Sequence, residues 1–246
     1  MKATLLFALI FFSLSSHAQE ESAFTLDADD FSPEQLKGFV APELKTLDQA
    51  TEWADLVALV QVDDIEYDKV RELNSKGFAY LNVLIPYKGS QLNEPIAVIT
   101  YGVEDNACYF PDRENEGQRF LTFLKKAPGP KSNVYYGYKP FCQMQVLLND
   151  IGQYYLRFPL DNQNLKIDSK LVQDVTYHEP HAFIDATLWT GTQRQKYAEK
   201  FSCEIIEGEE RFNRSYQLRY TQGVPISDIR PLLKLKYVPR ITSKEF

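Results

Sequence analysis

The sequence lacks the common motifs of catalysis and cofactor binding. It contains no Gly-x-Ser-x-Gly motif, which presents a serine nucleophile in many hydrolases, and no glycine-rich loop that could cradle phosphates. Histidine is scarce, with 3 residues in a chain of 246, and neither His178 nor His181 has an evident serine or cysteine partner. We therefore lean towards a protein that is not an enzyme, and we expect no cofactor.

Positive charge is also in short supply. The chain has 27 Lys and Arg residues against 34 Asp and Glu residues, a formal net charge of −7. Binding to nucleic acid or to anionic lipid needs clustered basic residues, so neither is an expected partner. No apolar stretch reaches the roughly 20 residues of a transmembrane helix, so the sequence predicts no membrane span.

The first 18 residues have the organisation of a cleavable signal peptide. Lys2 supplies the positive charge, and residues 3–14 form an apolar core that is too short for a stable anchor. The small residues Ser16 and Ala18 occupy the positions that a signal peptidase reads, which predicts cleavage after Ala18. The protein is therefore expected to be periplasmic or secreted.

Three cysteines occur, at positions 108, 142 and 203. In an oxidising compartment at least two of them should pair. Cys108 and Cys142 flank the apolar run 119–124 and are the preferred disulfide, although the sequence does not exclude other pairings. Cys203 would then be left as a buried thiol.

Short apolar strands separated by turns dominate the middle of the chain. Their number and spacing predict a mostly β fold, a barrel or a sandwich, with N-terminal helices and a small α+β C-terminal region. The predicted units are 19–50, 51–160 and 161–246. Strands are expected at 56–62 (continuing through 67), 78–87, 96–101, 120–124, 134–138, 143–148, 154–158, 183–189, 203–206 and 214–220, the last two paired across Gly208; helices are expected from 32, from 46, at 192–201 and at 224–235.

An ordered set of short motifs runs through the same region. Residues 54–57 enter the first strand, Lys88-Gly89 follows the second, and Cys108 and Cys142 flank the strand that begins at Gly117. In this order, the region from about 50 to 158 resembles the OB-like barrel of the tissue-inhibitor-of-metalloproteinases and netrin superfamily, particularly its bacterial members. The resemblance implies an OB-like barrel of five to six strands. In that family a Lys-Gly turn follows the second strand, and two cysteines flank a Gly-x-x-Tyr-Leu-x-Phe strand.

The chain departs from that family where the family's inhibitory chemistry lies. The animal inhibitors bind a catalytic zinc through an N-terminal cysteine, whereas this chain has no cysteine before Cys108 and is predicted to begin at Gln19. Charged residues 112–116 are also inserted after Cys108. The resemblance therefore implies a fold and a binding role, and it does not imply the cysteine mechanism.

Two groups of residues are candidates for a site, one for binding a metal ion and one for stacking a ligand. His178, His181 and Asp185 could hold a divalent metal, but Pro180 breaks any helix that would align the two rings, so a surface loop is the favoured interpretation.

Tyr135, Tyr136 and Tyr138 could stack a sugar or an extended peptide. An ordinary strand with its turn is the favoured interpretation of these tyrosines.

Three functional hypotheses follow from these patterns. The leading one is a non-enzymatic module that binds a peptide or another envelope or secreted protein. The alternatives are a peptidase inhibitor that lacks the N-terminal cysteine mechanism, and a metal-dependent hydrolase that uses His178 and His181.

We expect the protein purified from its host to begin at Gln19, because the signal peptide should be removed during export. Intact-mass spectrometry of the exported protein measures this directly. A mass that includes Met1 would contradict the signal-peptide prediction.

Overall fold

The computed structural model describes residues 43–71, 74–89, 95–103, 108, 110, 117–127, 133–161, 165–209 and 214–236. The predicted signal peptide, the helix from 32 and the inserted residues 112–116 lie outside the described residues. In chain order the elements are α1 (Leu47–Trp53), β1 (Leu56–Arg71), β2 (Asn74–Lys88), β3 (Ile96–Val103), β4 (Arg119–Lys126), β5 (Val134–Tyr136), β6 (Met144–Leu148), β7 (Tyr154–Arg157), β8 (Gln173–Asp174), β9 (Phe183–Asp185), α2 (Gly191–Phe201), β10 (Cys203–Glu209), β11 (Arg214–Tyr220), β12 (Gln222–Pro225) and α3 (Ile226–Leu232), with short 3₁₀ turns at Ser169–Leu171 and Pro180–Ala182. Every helix in these residues is too short or too polar to cross a lipid bilayer.

Strands β1 to β5 close into a barrel. β1 pairs antiparallel with β2 on one edge and with β4 on the other, where Leu56 lies opposite Leu124 and Gln61 opposite Arg119. β2 pairs with β3, β3 pairs in parallel with β5, and β5 pairs with β4 to complete the ring. The predicted mostly β class and the OB-like barrel are therefore confirmed.

The first half of β1 and most of β4 are buried on both faces. On β4, Phe120 and Leu124 point into the barrel and pack with Leu56 of β1, whereas Leu121 and Phe123 point outwards to a second core. Residues from α1, β6, β7, β12 and α3 cover that second core. Burial on both faces explains why the apolar runs of β1 and β4 are almost continuous, without polar alternation.

Cys108 and Cys142 form the disulfide that the sequence favours, and it lies inside the barrel. Both are fully buried, and they form a disulfide with a Cα–Cα distance of 5.9 Å. Cys203 is a free, half-buried thiol, and burial raises its pKa to about 11. A disulfide of this kind indicates an oxidising compartment.

The region after residue 160 contributes to two sheets. β6, β7, β12 and β8 extend the barrel sheet from β4, and β9, β11 and β10 form a separate three-stranded sheet. β12 returns to the barrel sheet, where Val224 lies opposite Leu156. The expected C-terminal unit 161–246 is therefore interleaved with the barrel, since β8, β12 and α3 belong to the barrel side.

Arg157 of β7 joins the barrel sheet to the three-stranded sheet. Its side chain is 4% exposed, and its guanidinium carbon lies 4.8 Å from the ring centre of Tyr220 and 5.6 Å from that of Phe201. A salt bridge of 2.6 Å to Asp161 balances its charge. The arginine thus supplies both cation–π contact and an ion pair at the junction.

Two local predictions are wrong. The predicted strand 183–189 ends at Asp185, because the Asp185 carboxylate accepts a hydrogen bond of 2.9 Å from the Thr187 amide and turns the chain. Gly208 is not the hairpin turn, because it lies within β10 opposite Ser215 and the strand continues to Glu209.

Thr122 of β4 offers a test of packing in the barrel. Its side chain is fully buried, and its hydroxyl has no hydrogen-bond partner among the residues that the structure describes. Because an unpaired buried hydroxyl costs roughly 1–3 kcal/mol, we expect Thr122→Val to raise the free energy of unfolding by about 1 kcal/mol in a denaturant titration.

Thr51 provides the matched control. It is also buried, but its hydroxyl donates a hydrogen bond of 2.8 Å to the Leu47 carbonyl. Thr51→Val should therefore lower the free energy of unfolding by about 1 kcal/mol. A Thr122→Val variant less stable than the wild type would contradict the packing described here.

Candidate functional site

A groove of about 1180 Å³ lies between α1, the end of β2 and the segment that begins in α3. It is an open cleft of a size that a short extended ligand could occupy. Its lining comprises Asp48, Thr51 and Glu52 from α1, Tyr87, Lys88 and Gly89 from β2 and its turn, and Arg230, Pro231, Leu233, Lys234, Leu235 and Lys236 from α3 and beyond.

Lys88 holds α1 against the end of β2. Its ammonium donates hydrogen bonds of 2.7 Å to the Thr51 carbonyl and 2.5 Å to the Ala54 carbonyl. The last carbonyls of a helix have no partner within the helix and carry partial negative charge, so a lysine there is stabilising. Lys88 therefore fixes one wall of the groove.

Gly89 allows the turn that places Lys88. Its φ of +94° is one that side-chain-bearing residues rarely adopt. An added Cβ would lie 2.9 Å from the Asp55 carbonyl oxygen and 3.1 Å from the Leu56 side chain. The Lys88-Gly89 pair noted in the sequence thus has a local structural cause, the closure of β2 against α1.

A surface ion pair links the two walls of the groove. The Lys234 ammonium lies 2.8 Å from the Asp48 carboxylate, and this hydrogen bond lowers the pKa of Asp48 to about 2. Both side chains reach solvent, so the pair contributes little to stability. The positive charge of Lys234 is nevertheless paired with an acidic group of the protein itself.

The floor of the groove is apolar. Leu233 is buried, and Leu235 is partly buried beside it. Tyr87 is also partly buried, and this burial raises its pKa although the nearby Arg230 charge opposes the rise. The groove therefore combines an apolar surface with charged groups at its edge, the composition of many binding sites.

An aromatic cluster lies where α1 meets the barrel. Trp53 of α1 lies 6.3 Å from Tyr136 and 5.9 Å from Tyr138 between ring centres, and the two tyrosines are 6.0 Å apart. Lys125 sits 5.9 Å from the Trp53 ring centre and donates a hydrogen bond of 2.9 Å to the Trp53 carbonyl. The rings pack edge-on or tilted against one another, so they form a packing unit that anchors α1.

The three candidate stacking tyrosines do not share a surface. Tyr135 is only 8% exposed and packs inside the barrel, because neighbouring residues of a strand point to opposite faces. Tyr136 and Tyr138 face the aromatic cluster, where burial raises the pKa of Tyr138 to about 12. The structure thus brings two of the three together.

The candidate metal ligands are not assembled. His178 is exposed and lies 3.4 Å from Asp150, while Asp185 binds the Thr187 amide. His181 is partly buried, and this burial lowers its pKa. In the described part of the chain, no three His, Cys, Asp or Glu side chains are placed to hold a metal ion.

Glu179, which the sequence did not single out, is the central residue of that loop. Its carboxylate lies 2.6 Å from Arg119 and accepts a hydrogen bond of 2.7 Å from the Leu148 amide. Gln145 adds a hydrogen bond of 3.0 Å to the His181 carbonyl. The histidine-containing loop is thereby docked onto β4 and β6, which gives it a structural role.

Similarity to known proteins does not assign a function. Comparisons of the chain with protein-family models, curated proteins and solved structures found no match. A barrel of this kind supports many unrelated functions, so the fold alone does not identify one. The geometry of the groove is therefore the basis for a functional proposal.

We expect Glu179→Gln to lower the free energy of unfolding by about 2 kcal/mol, because it leaves a partly buried arginine without its counter-charge. The Glu179 and Arg119 side chains are only 12% and 19% exposed. Denaturant titration of the purified variant provides the measurement.

Glu207→Gln is the control for this substitution. Glu207 pairs with Arg214 at 3.3 Å, but both side chains are at least half exposed. Its replacement should change the free energy of unfolding by less than about 0.5 kcal/mol. Equal effects of the two substitutions would show that the Glu179–Arg119 ion pair stabilises the protein no more than an exposed ion pair does.

Proposed function

We propose that this protein is an exported, non-enzymatic binding module whose ligand is a peptide segment of another envelope or secreted protein. The observation that carries the proposal is the groove beside α1. It has an apolar floor, charged edges and a volume of about 1180 Å³, in which several residues of an extended chain fit.

The construction of the groove favours binding over catalysis. Its walls are set by the Lys88 hydrogen bonds to α1 and by the Asp48–Lys234 pair, so the surface is formed before a ligand arrives. A preformed surface reduces the entropy lost on binding. The Lys88 ammonium and the Asp48 carboxylate, which could otherwise serve acid–base chemistry, are engaged in these contacts within the protein.

Export is part of the proposal. The organisation of residues 1–18 supports it, and the Cys108–Cys142 disulfide supports an oxidising compartment such as the periplasm or the extracellular space.

Kinship with the tissue-inhibitor-of-metalloproteinases and netrin superfamily belongs to the same proposal. It is supported by the OB-like barrel, by the disulfide between the cysteines that flank β4, and by the Lys88-Gly89 turn after β2. A peptidase as the bound partner would make the module an inhibitor, acting without the N-terminal cysteine of the animal proteins.

Peptide display against the full mature protein tests the proposal. We expect selected peptides to bind with dissociation constants of about 1–100 μM, as is common for short linear segments. Leu235→Ala, at the partly buried floor of the groove, should weaken this binding at least about tenfold in fluorescence anisotropy, because it removes apolar contact.

Leu188→Ala is the matched control, since Leu188 is 97% exposed and lies outside the groove. It should leave peptide affinity unchanged. Failure to select any binding peptide would overturn the proposal. Selected peptides that bind the Leu235→Ala variant as tightly as the wild type would remove the groove from it.

A further inference from the structure

The charge of the groove is opposite to that of the whole chain. Its lining contains the four basic residues Lys88, Arg230, Lys234 and Lys236 against the two acidic residues Asp48 and Glu52. The chain as a whole carries a net charge of −7. A local excess of positive charge in an acidic protein favours an anionic ligand at that place.

Two of these basic residues are already engaged within the protein. Lys88 donates to the carbonyls at the end of α1, and Lys234 pairs with Asp48. Arg230 and Lys236, in contrast, have no acidic partner within the part of the chain that the structure describes, and both are exposed. They are therefore the charges that a ligand could neutralise.

The Arg230 and Lys236 side chains lie beside the apolar floor of the groove. Arg230 lies near Tyr87, and Leu235 precedes Lys236 in the chain. A ligand that contacts both the two cations and the apolar floor must carry acidic groups and apolar groups within a few residues of each other. Extended peptides with carboxylate side chains have that chemistry, and the arginine fork matches a carboxylate in two parallel hydrogen bonds.

We infer that the groove selects acidic peptide segments, with carboxylates on Arg230 and Lys236 and an adjacent apolar side chain on the Tyr87–Leu235 floor. This inference rests on the proposed peptide-binding function and adds its ligand class. A nucleic acid is disfavoured, because the acidic surface of the remaining protein would repel a long phosphate backbone. A single inorganic anion would leave most of a groove of about 1180 Å³ unfilled.

The test compares three short synthetic peptides on the full mature protein. They share alternating leucines and differ only in the intervening residue, which is glutamate, glutamine or lysine. In fluorescence anisotropy we expect the glutamate peptide to bind at least about tenfold more tightly than the glutamine peptide. Raising the salt concentration should reduce this preference, because exposed charges are screened.

Substitution of Arg230 and Lys236 tests whether these two residues cause the preference for the glutamate peptide. Arg230→Gln combined with Lys236→Gln should abolish the difference between the glutamate and glutamine peptides while leaving some affinity for both. Lys170→Gln combined with Lys196→Gln is the control, because both lysines are exposed and lie outside the groove. The control variant should keep the full preference.

The outcomes separate this inference from the function on which it rests. Equal binding of the glutamate and glutamine peptides, or tighter binding of the lysine peptide, would overturn the acidic class while peptide binding stands. Failure of all three peptides, for a protein that yields binders in display, would also overturn it. The acidic residues Asp27, Asp29 and Asp30 follow the predicted mature N-terminus. Tighter binding of the glutamate peptide by an Asp27→Asn, Asp29→Asn, Asp30→Asn variant would overturn the inference, because it would assign the groove to this segment of the chain itself.

Discussion

The pairing of both edges of β1 is the constraint on which the rest of this structure depends. One edge pairs with β2 and the other with β4, so the five barrel strands form a closed ring. Both faces of the first half of β1 are buried as well, inside the barrel and beneath the helices. A strand with no free edge or face determines where its neighbours must lie, which is why α1, β4 and the disulfide all occupy defined positions around it.

The groove is a consequence of how that barrel is closed. α1 runs directly into β1, and β2 returns to the same point, where Lys88 completes the end of the helix. The chain then contributes α3 and the following residues from far along the sequence, because β12 joins the sheet next to β7. The residues that hold the groove together are thus engaged with the protein, and those left at its edge are available to a ligand.

Strands could be predicted from the sequence where the pattern of neighbouring residues was enough to identify them. The apolar runs of β1 and β4 indicated strands, and the flanking cysteines indicated the disulfide. Other features depend on distant partners. The role of Glu179 requires Arg119, which lies 60 residues away, and the return of β12 to β7 has no local signal. Tyr135 and Tyr136 are neighbours of the same type, and only the pairing of β5 with β3 and β4 decides which of them faces inwards.

By itself, the sequence determined the class of the protein: an acidic chain with barrel-forming strands, a cysteine pair around the fourth strand and no catalytic motif. These properties follow from composition and short-range pattern, which act on residues close together in the chain. Only the tertiary structure decided that the histidine loop is a docking element and that the aromatic residues pack on one another. It also decided that Lys88 and the cations between residues 230 and 236 converge on one groove. Those results depend on contacts between segments separated by many residues, and such contacts exist only after the barrel has closed.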